Sequence, residues 1–336
     1  MKRVGRLIDK IAELDNLHEA FLRAARGKRG KMAVMRFSES LDENLHEMRR
    51  RILSGDFECG GYHFFTIYDP KQRVICAASF SDRVLFHAIM RVCHYIFDDY
   101  QIFDSYDSRC EKGTYKALER ARQYCCRYHW FAKLDMKKYF DSINHAVMMQ
   151  QLSRLIKDHV LLDYFDDLLG SYEVEPGKGV PIGNLTSQYF ANHYLSPADH
   201  YAKEELKVKG FVRYMDDVLF FDDDPVQLKQ KVQCYRQYVE QHLLLNVHPT
   251  VMNRTAMGVP FLGYVAFAHQ LRLNGRSVRR LRHKMLDLNM MLQNGVIDDE
   301  IYAAHATALL AFARKAECNT LLRSMSDTVG MYPQGL

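Results

Sequence analysis

Apolar residues recur at helical spacing over residues 6–27, through Leu7, Ile8, Ile11, Leu14, Leu17, Phe21 and Ala24, and predict an amphipathic helix. The Gly27-Lys28-Arg29-Gly30-Lys31 stretch breaks it, and a second helix is predicted over 41–53, ended by Ser54-Gly55. Residues 63–68 and 73–78 then predict two strands around an Asp69-Pro70-Lys71-Gln72 turn. Ser81-Asp82 reads as the cap of a helix over 81–97. Another helix over 113–128 leads into an apolar strand, 129–136, that delivers Asp135 at its end. Asp141-Ser142 reads as a helix opening with Asp141 as N-cap, and 159–170 and 187–206 read as helices. Phe211-Val212-Arg213-Tyr214 and Val218-Leu219-Phe220-Phe221 are apolar runs flanking a tight acidic turn, and read as a hairpin. Alternation along the first run points Arg213 away from Tyr214. Asp224-Pro225 supplies an N-cap and a first-position proline for a helix over 225–243. Short strands are predicted at 244–251, 259–266 and 271–273, then helix from Arg276 onward and a loose tail over 330–336.

Composition narrows the class without naming a chemistry. The chain has 336 residues, 48% hydrophobic and 26% charged, as in a globular protein. No apolar run approaches the ~20 residues needed to span a bilayer. The basic start, Met1-Lys2-Arg3-Val4-Gly5-Arg6, is followed by no apolar signal core, so a cytoplasmic protein is expected. Eight cysteines (Cys59, Cys76, Cys93, Cys110, Cys125, Cys126, Cys234 and Cys318) form no Cys-x-x-Cys pair and are expected to be buried free thiols. Net charge is only +5, but it is unevenly spread. Arg23, Arg26, Lys28, Arg29 and Lys31, then Arg49, Arg50 and Arg51, and late Arg276, Arg279, Arg280, Arg282 and Lys284 form basic clusters suited to a polyanion's backbone. The alternative for each is a solvated helix face.

The chemistry concentrates in Tyr214-Met215-Asp216-Asp217. Adjacent carboxylates at a turn repel each other, and a divalent metal removes that cost. Mg²⁺ takes oxygen ligands and is commonly held by one or two carboxylates plus substrate phosphates. Taken alone, the pair reads more readily as an ordinary hairpin turn. Asp135, at the end of its own strand in Lys133-Leu134-Asp135-Met136-Lys137, supplies a third acid. Three carboxylates could cradle two ions ~3.5–4 Å apart, the arrangement that clamps an in-line phosphoryl displacement.

These two segments, in this order and spacing, resemble the palm motifs of reverse transcriptases. Other blocks follow the same order. Tyr68-Asp69-Pro70-Lys71-Gln72-Arg73-Val74-Ile75, with Ser81-Asp82-Arg83-Val84, resembles the fingers segment that meets the incoming triphosphate. Phe261-Leu262-Gly263-Tyr264 resembles the primer-grip turn, and the basic helical end resembles a thumb. The resemblance covers about residues 60–330 and implies an α+β right-hand polymerase, with a small antiparallel palm sheet flanked by helices. It implies a basic N-terminal helical segment over 1–60, fingers over 61–130, and a palm over 131–268 interleaved with fingers helices at about 144–180. A helical thumb and tail follow over 269–336. From the length, no RNase H, endonuclease or protease domain is expected beside it.

The stretch Val180-Pro181-Ile182-Gly183-Asn184-Leu185-Thr186-Ser187-Gln188 places Ile182 where most of the family has Gln, and Gln188 where most have Pro. That variant is similar to the reverse transcriptases of bacterial and phage diversity-generating retroelements. It implies low-fidelity copying directed at template adenines, and a small, basic, oligomeric accessory protein as partner. The implied site is Asp135, Asp216 and Asp217 with the Met136 backbone, holding two Mg²⁺ ions (Mn²⁺ as substitute). Lys71, Arg73, Phe140, Ile182 and Gln188 would meet the dNTP. Phe140 would be the gate against a ribose 2′-OH. Arg83 is a further candidate for the triphosphate, or else a structural ion-pair partner, and Lys133 and Lys137 flank the acid to tune charge. Where many relatives carry a Lys acid, this chain reads Leu245-Asn246-Val247-His248-Pro249-Thr250, so His248 is the candidate general acid, or else a structural histidine. Template RNA, a DNA primer and its cDNA product are the implied partners, with no membrane. Retron, group II intron-like and phage-defence enzymes stand as alternatives within the class. A palm-fold nucleotidyl cyclase and an inactive RNA-binding scaffold stand outside it.

Overall fold

A computed structural model of the chain describes residues 2–56, 61–68 and 72–316. Lys71, Cys59, Cys318 and the expected tail lie outside those residues. Four helices come first: α1 (Leu7–Ile11), α2 (Leu14–Ala25), α3 (Met32–Glu39) and α4 (Leu41–Ser54). The single helix expected over 6–27 is therefore two, and α3 was not expected. The hairpin β1 (His63–Ile67) and β2 (Arg73–Ala77) precedes the long α5 (Phe80–Tyr100) and α6 (Thr114–Arg127). Next come β3 (Trp130–Asp135), α7 (Tyr139–Ser142), α8 (His145–Leu155), α9 (His159–Gly170), α10 (Leu185–Tyr194) and α11 (Ser196–His200). The acidic hairpin is β4 (Gly210–Tyr214) and β5 (Asp217–Asp222), followed by α12 (Pro225–His242) and β6 (Val251–Arg254). A small sheet of β7 (Val259–Phe261), β8 (Tyr264–Ala266) and β9 (Leu271–Leu273) leads to α13 (Gly275–Gln293) and α14 (Asp299–Arg314).

Several local expectations are corrected by capping chemistry. The cap of α5 is Ser79, which accepts from the Asp82 amide at 3.1 Å, rather than Ser81. Asp141 caps nothing: Asn144 Oδ1 accepts from the Val147 amide at 3.0 Å and starts α8, which leaves Asp141 inside the single turn of α7. Asp224 does cap α12, accepting from the Val226 and Gln227 amides. The strand expected over 244–251 is mostly irregular; only Val247 bridges to Met136 before β6 begins. The thiols divide. Cys76, Cys93 and Cys125 are buried, whereas Cys110 and Cys126 are exposed, against the expectation of buried thiols throughout.

What positions the site is the four-stranded antiparallel sheet, ordered β4-β5-β3-β6. Alternating side chains give it two apolar faces. Ala132, Leu134, Val218 and Phe220 join the larger core with α5, α8, α9, α10 and α12. Phe131, Val212, Leu219 and Phe221 join a second core with α6, the small sheet, α13 and α14. By the same alternation Lys133, Asp135 and Asp217 continue the second face. They lie beyond the end of its apolar cover, so this end of the sheet opens into a cleft.

The fingers-like hairpin is docked on that cleft by backbone. The Cys76 amide donates to the Ile182 carbonyl at 2.9 Å. Gly183 sits at φ +115°, and a Cβ there would meet Ile75 Cγ2 at 2.8 Å. Both the left-handed backbone and the contact exclude a side chain. Gly183→Ala is expected to cost about 2–4 kcal/mol, read as a lower urea midpoint. An unchanged midpoint would show that the hairpin yields freely.

Candidate active site

The three acids reach one place by register. β3 and β5 pair so that Asp135 stands directly opposite Asp217, which sets their Cβ atoms roughly 4.5–5.5 Å apart on one face. Tyr214 also pairs with Asp217, leaving Met215 and Asp216 as the whole turn. A turn this short holds Met215 at φ 52°, a left-handed conformation that costs a non-glycine residue about 1–2 kcal/mol. Asp135, Asp216 and Asp217 all line a single cavity of about 720 Å³.

Its electrostatics follow from that crowding. Burial, then the carboxylates of Asp135 and Asp217, push the Asp216 carboxyl up to about 6. Lys133 sits two residues before Asp135 on the same face, and its Nζ lies 2.8 Å from Asp217 Oδ1. Among the described residues no group of three His, Cys, Asp or Glu side chains is closed enough to hold a metal ion unaided. A lysine ammonium thus sits on one of the three acids of the expected cradle. The donor set still fits a hard divalent cation. It consists of carboxylate oxygens, one of them buried against two others at a cost that a cation would relieve. Met136 fits as well. The Lys137 amide donates to the Asn246 carbonyl and the His248 amide to the Asp135 carbonyl, at 2.8 and 2.9 Å. These bonds flank Met136, so its own carbonyl lies on the opposite edge of β3, toward the acids.

The remaining expected residues divide. Arg73, Phe140, Ile182, Gln188 and His248 line the same cavity. Of the four turn residues at the small sheet, Leu262 reaches it, with Leu262 at φ 48° and Gly263 at φ 88° making the turn. Phe261 and Tyr264 pair with each other and are buried in the second core. The Tyr264 hydroxyl donates to the Phe312 carbonyl of α14 at 2.8 Å, so its work is to anchor that helix. Arg83 is not at the cleft; its guanidinium lies over the Phe80 ring at 5.3 Å.

Four groups at the cleft were not anticipated as lining it. Asp141, displaced from its expected capping role, lines the cavity, and burial raises its carboxyl. Lys138 stands beside it. On the other side, Asp107 and Ser108 form a wall, with Ser108 at φ 52° donating to Asp107 Oδ2 at 2.7 Å. Asp107 also takes the Tyr214 hydroxyl bond, while the Thr114 hydroxyl donates to Tyr214 at 3.2 Å. Residues 101–113 show no hydrophobic period, which is why sequence reading passes over this wall.

The profile of the family described as "Reverse transcriptase (RNA-dependent DNA polymerase)" matches residues 69–266. Among curated proteins, the putative COX1/OXI3 intron 1 protein of Saccharomyces cerevisiae is 25% identical over 62% of this chain and 26% of its own length. The group II intron-encoded protein LtrA of Lactococcus lactis is 24% identical over 41% of this chain and 24% of its own. This chain therefore spans about a quarter of each of those relatives. Among solved structures, telomerase from Candida albicans in complex with a telomeric RNA fragment aligns over 84% of this chain and 58% of that one, at 14% identity and a TM-score of 0.47.

Proposed function

Because the chain belongs to the reverse transcriptase (RNA-dependent DNA polymerase) family, we propose that it copies an RNA template into DNA from deoxynucleoside triphosphates. The observation that carries this reading is the sharing of one cleft by Asp135, Asp216 and Asp217 with Arg73, Phe140 and Gln188. Asp135, Asp216, Asp217 and the Met136 carbonyl would hold two Mg²⁺ ions, with Mn²⁺ as substitute, whose charge neutralises the triphosphate and favours ionisation of the primer 3′ hydroxyl. Arg73 binds the triphosphate through its planar fork of N–H donors, with Lys71 in the same role. Phe140 stands against the sugar. Leu262, on its tight turn, bears on the primer end. His248, which lines the same cleft, would be the acid that protonates the departing pyrophosphate. Lys133, now paired with Asp217, would have to release that carboxylate for it to serve as a metal ligand.

In this reading residues 61–130 act as fingers, 131–268 as palm with interleaved fingers helices at about 144–180, and 269–336 as thumb and tail. The template lies along basic walls and is held chiefly by its phosphates. No helix of the described residues is long and apolar enough to cross a membrane. The test is primer extension on defined RNA with dNTPs and Mg²⁺, and an EDTA control. Cyclic nucleotide formed from NTPs without primer extension would replace the reading with a cyclase. RNA binding with neither product would reduce the chain to a scaffold.

We further infer the diversity-generating type, from Ile182 and Gln188 at the cleft. Isoleucine has no donor or acceptor with which to fix the nascent pair. One such contact supplies on the order of 1–1.5 kcal/mol, or roughly tenfold in discrimination. Ile182→Gln is expected to cut errors opposite template adenine about tenfold, read by sequencing the cDNA. An unchanged error spectrum would remove the inference. The accessory protein implied by this type would dock on the basic N-terminal helices or the thumb, and copurification tests it. The intron-encoded relatives favour a second reading, a group II intron-like enzyme. An imperfect repeat differing at adenines in the neighbouring DNA would decide against it.

A further inference from the structure

Arg213 is the largest of the fully buried side chains, with no exposed surface. A guanidinium has five N–H donors, and here all five are used. Nε donates to Asp199 Oδ2 at 2.7 Å. One terminal nitrogen donates to Asn192 Oδ1 at 2.8 Å and to the Met215 carbonyl at 3.1 Å. The other donates to Gln101 Oε1 at 2.8 Å and to the Asn192 carbonyl at 3.1 Å. An ion pair to Asp199 alone would satisfy the charge. The bond to Met215 does something else: it reaches forward two residues and holds the central peptide plane of the acidic hairpin's turn.

That plane has two natural orientations. Turns with the same strand geometry interconvert by flipping the central peptide, which changes φ at the following residue. The flip would carry the Met215 carbonyl away from Arg213 and re-aim Asp216. Met215, moreover, is held at φ 52°, where an L-residue is rarely at ease. Something must hold the turn in that form, and the guanidinium is the donor in place to do so. The same side chain braces the opposite wall. Asn192, which accepts two of its bonds, donates from Nδ2 to the Asp107 carbonyl at 2.7 Å. The Tyr106 amide donates to the Arg213 carbonyl, and the Arg213 amide to the Asp104 carbonyl, both at 2.9 Å.

We infer that Arg213 is a positioning residue. Its bond to the Met215 carbonyl fixes the central peptide of the turn in the orientation that presents Asp216 to the cleft, and its bonds through Asn192 hold the Asp107 wall in register with that turn. The inference rests on the polymerase reading for its kinetic consequence, though not for its structural one.

Single loss of either buried partner strands the other charge, so the informative variant removes both. Arg213→Met with Asp199→Leu exchanges the ion pair for apolar bulk, a change that buried pairs commonly tolerate. Mn²⁺ binding to the substrate-free protein is followed by EPR, beside kcat and KM for a dNTP in primer extension and the melting temperature. The expected result is a folded protein whose melting temperature is within a few degrees of the parent's. Its Mn²⁺ affinity should fall about 3–10-fold and its kcat about 10–100-fold, with KM little changed. Adding Met215→Gly should recover part of the Mn²⁺ affinity, because glycine adopts φ 52° without strain. A folded double variant with parental Mn²⁺ affinity and kcat overturns the inference, as does Met215→Gly without any recovery. Should the double variant fail to fold, Arg213→Lys is measured in the same way, and the same outcomes decide. A parent protein that binds Mn²⁺ but extends no primer would overturn the polymerase reading instead, leaving the Mn²⁺ comparison to judge Arg213.

Discussion

Asp216→Asn should abolish primer extension, by at least about 10³-fold, and at the same time make the metal-free protein more stable. The two effects have one cause. Asp216 is pushed up to about 6 by burial and by Asp135 and Asp217. Each unit of such a shift is about 1.4 kcal/mol, so keeping this carboxylate ionised works against folding by on the order of 3 kcal/mol. Asparagine keeps the shape and removes the charge. Half to all of that relief, in a chain of this size, corresponds to a melting temperature higher by about 2–4 °C in EDTA. The sign with pH is fixed. A carboxyl whose folded pKa lies above its ordinary value leaves stability unharmed below about 3.8, and the penalty grows as pH rises toward 6. The gap between variant and parent should therefore be wider at pH 8 than at pH 5, as measured by thermal unfolding in EDTA. Equal melting temperatures at both values would mean that Asp216 is neither buried nor crowded by the other two carboxylates. Residual extension near the parental rate would mean that Asp216 is no part of the chemistry.

That crowding was readable in the sequence because two independent periodicities met at it. The apolar run over 129–136 and the hairpin pattern around Asp216-Asp217 each placed an acid at a strand end. The β3–β5 register then sets Asp135 opposite Asp217. What was not readable depended on contacts between segments far apart in the chain. Arg213 could be turned away from Tyr214 by alternation, but nothing local says that Gln101, Asn192 and Asp199 converge on it. The Asp107–Ser108 wall lies in a loop with no period. Asp141 passed for a cap because Asp before a helix commonly is one; Asn144, three residues on, takes the amide instead. Phe261 and Tyr264 read as part of a contact turn, but the β7–β8 pairing faces them into the core and leaves Leu262 at the tip. Lys133 was visible as a neighbouring charge, while its 2.8 Å approach to Asp217 required the fold.

Phe140→Ala should let ribonucleotides into the product, lowering the preference for dNTPs by about 10²-fold in kcat/KM, or about 2.7 kcal/mol. The ring is well placed to act as a wall. It lines the cavity beside Asp141, and it packs edge-on to Tyr139 with centroids 5.9 Å apart and planes at 79°. Tyr139 is itself fixed, buried with its hydroxyl donating to the Ala191 carbonyl of α10. The Phe140 carbonyl accepts from the Val180 amide at 2.9 Å, so the backbone cannot swing the ring aside. A ring held from behind and from below excludes an extra hydroxyl by overlap, and overlap with rigid neighbours is costly. Alanine removes the ring without touching these backbone bonds. The dNTP reaction should then lose about tenfold or less, since positioning by the triphosphate contacts survives. Single-nucleotide incorporation with dNTP and rNTP, each over a range of concentrations, gives both ratios. A variant that still rejects rNTPs as strictly as its parent would move the sugar gate to another residue of the cleft and return Phe140 to the role of a packing aromatic.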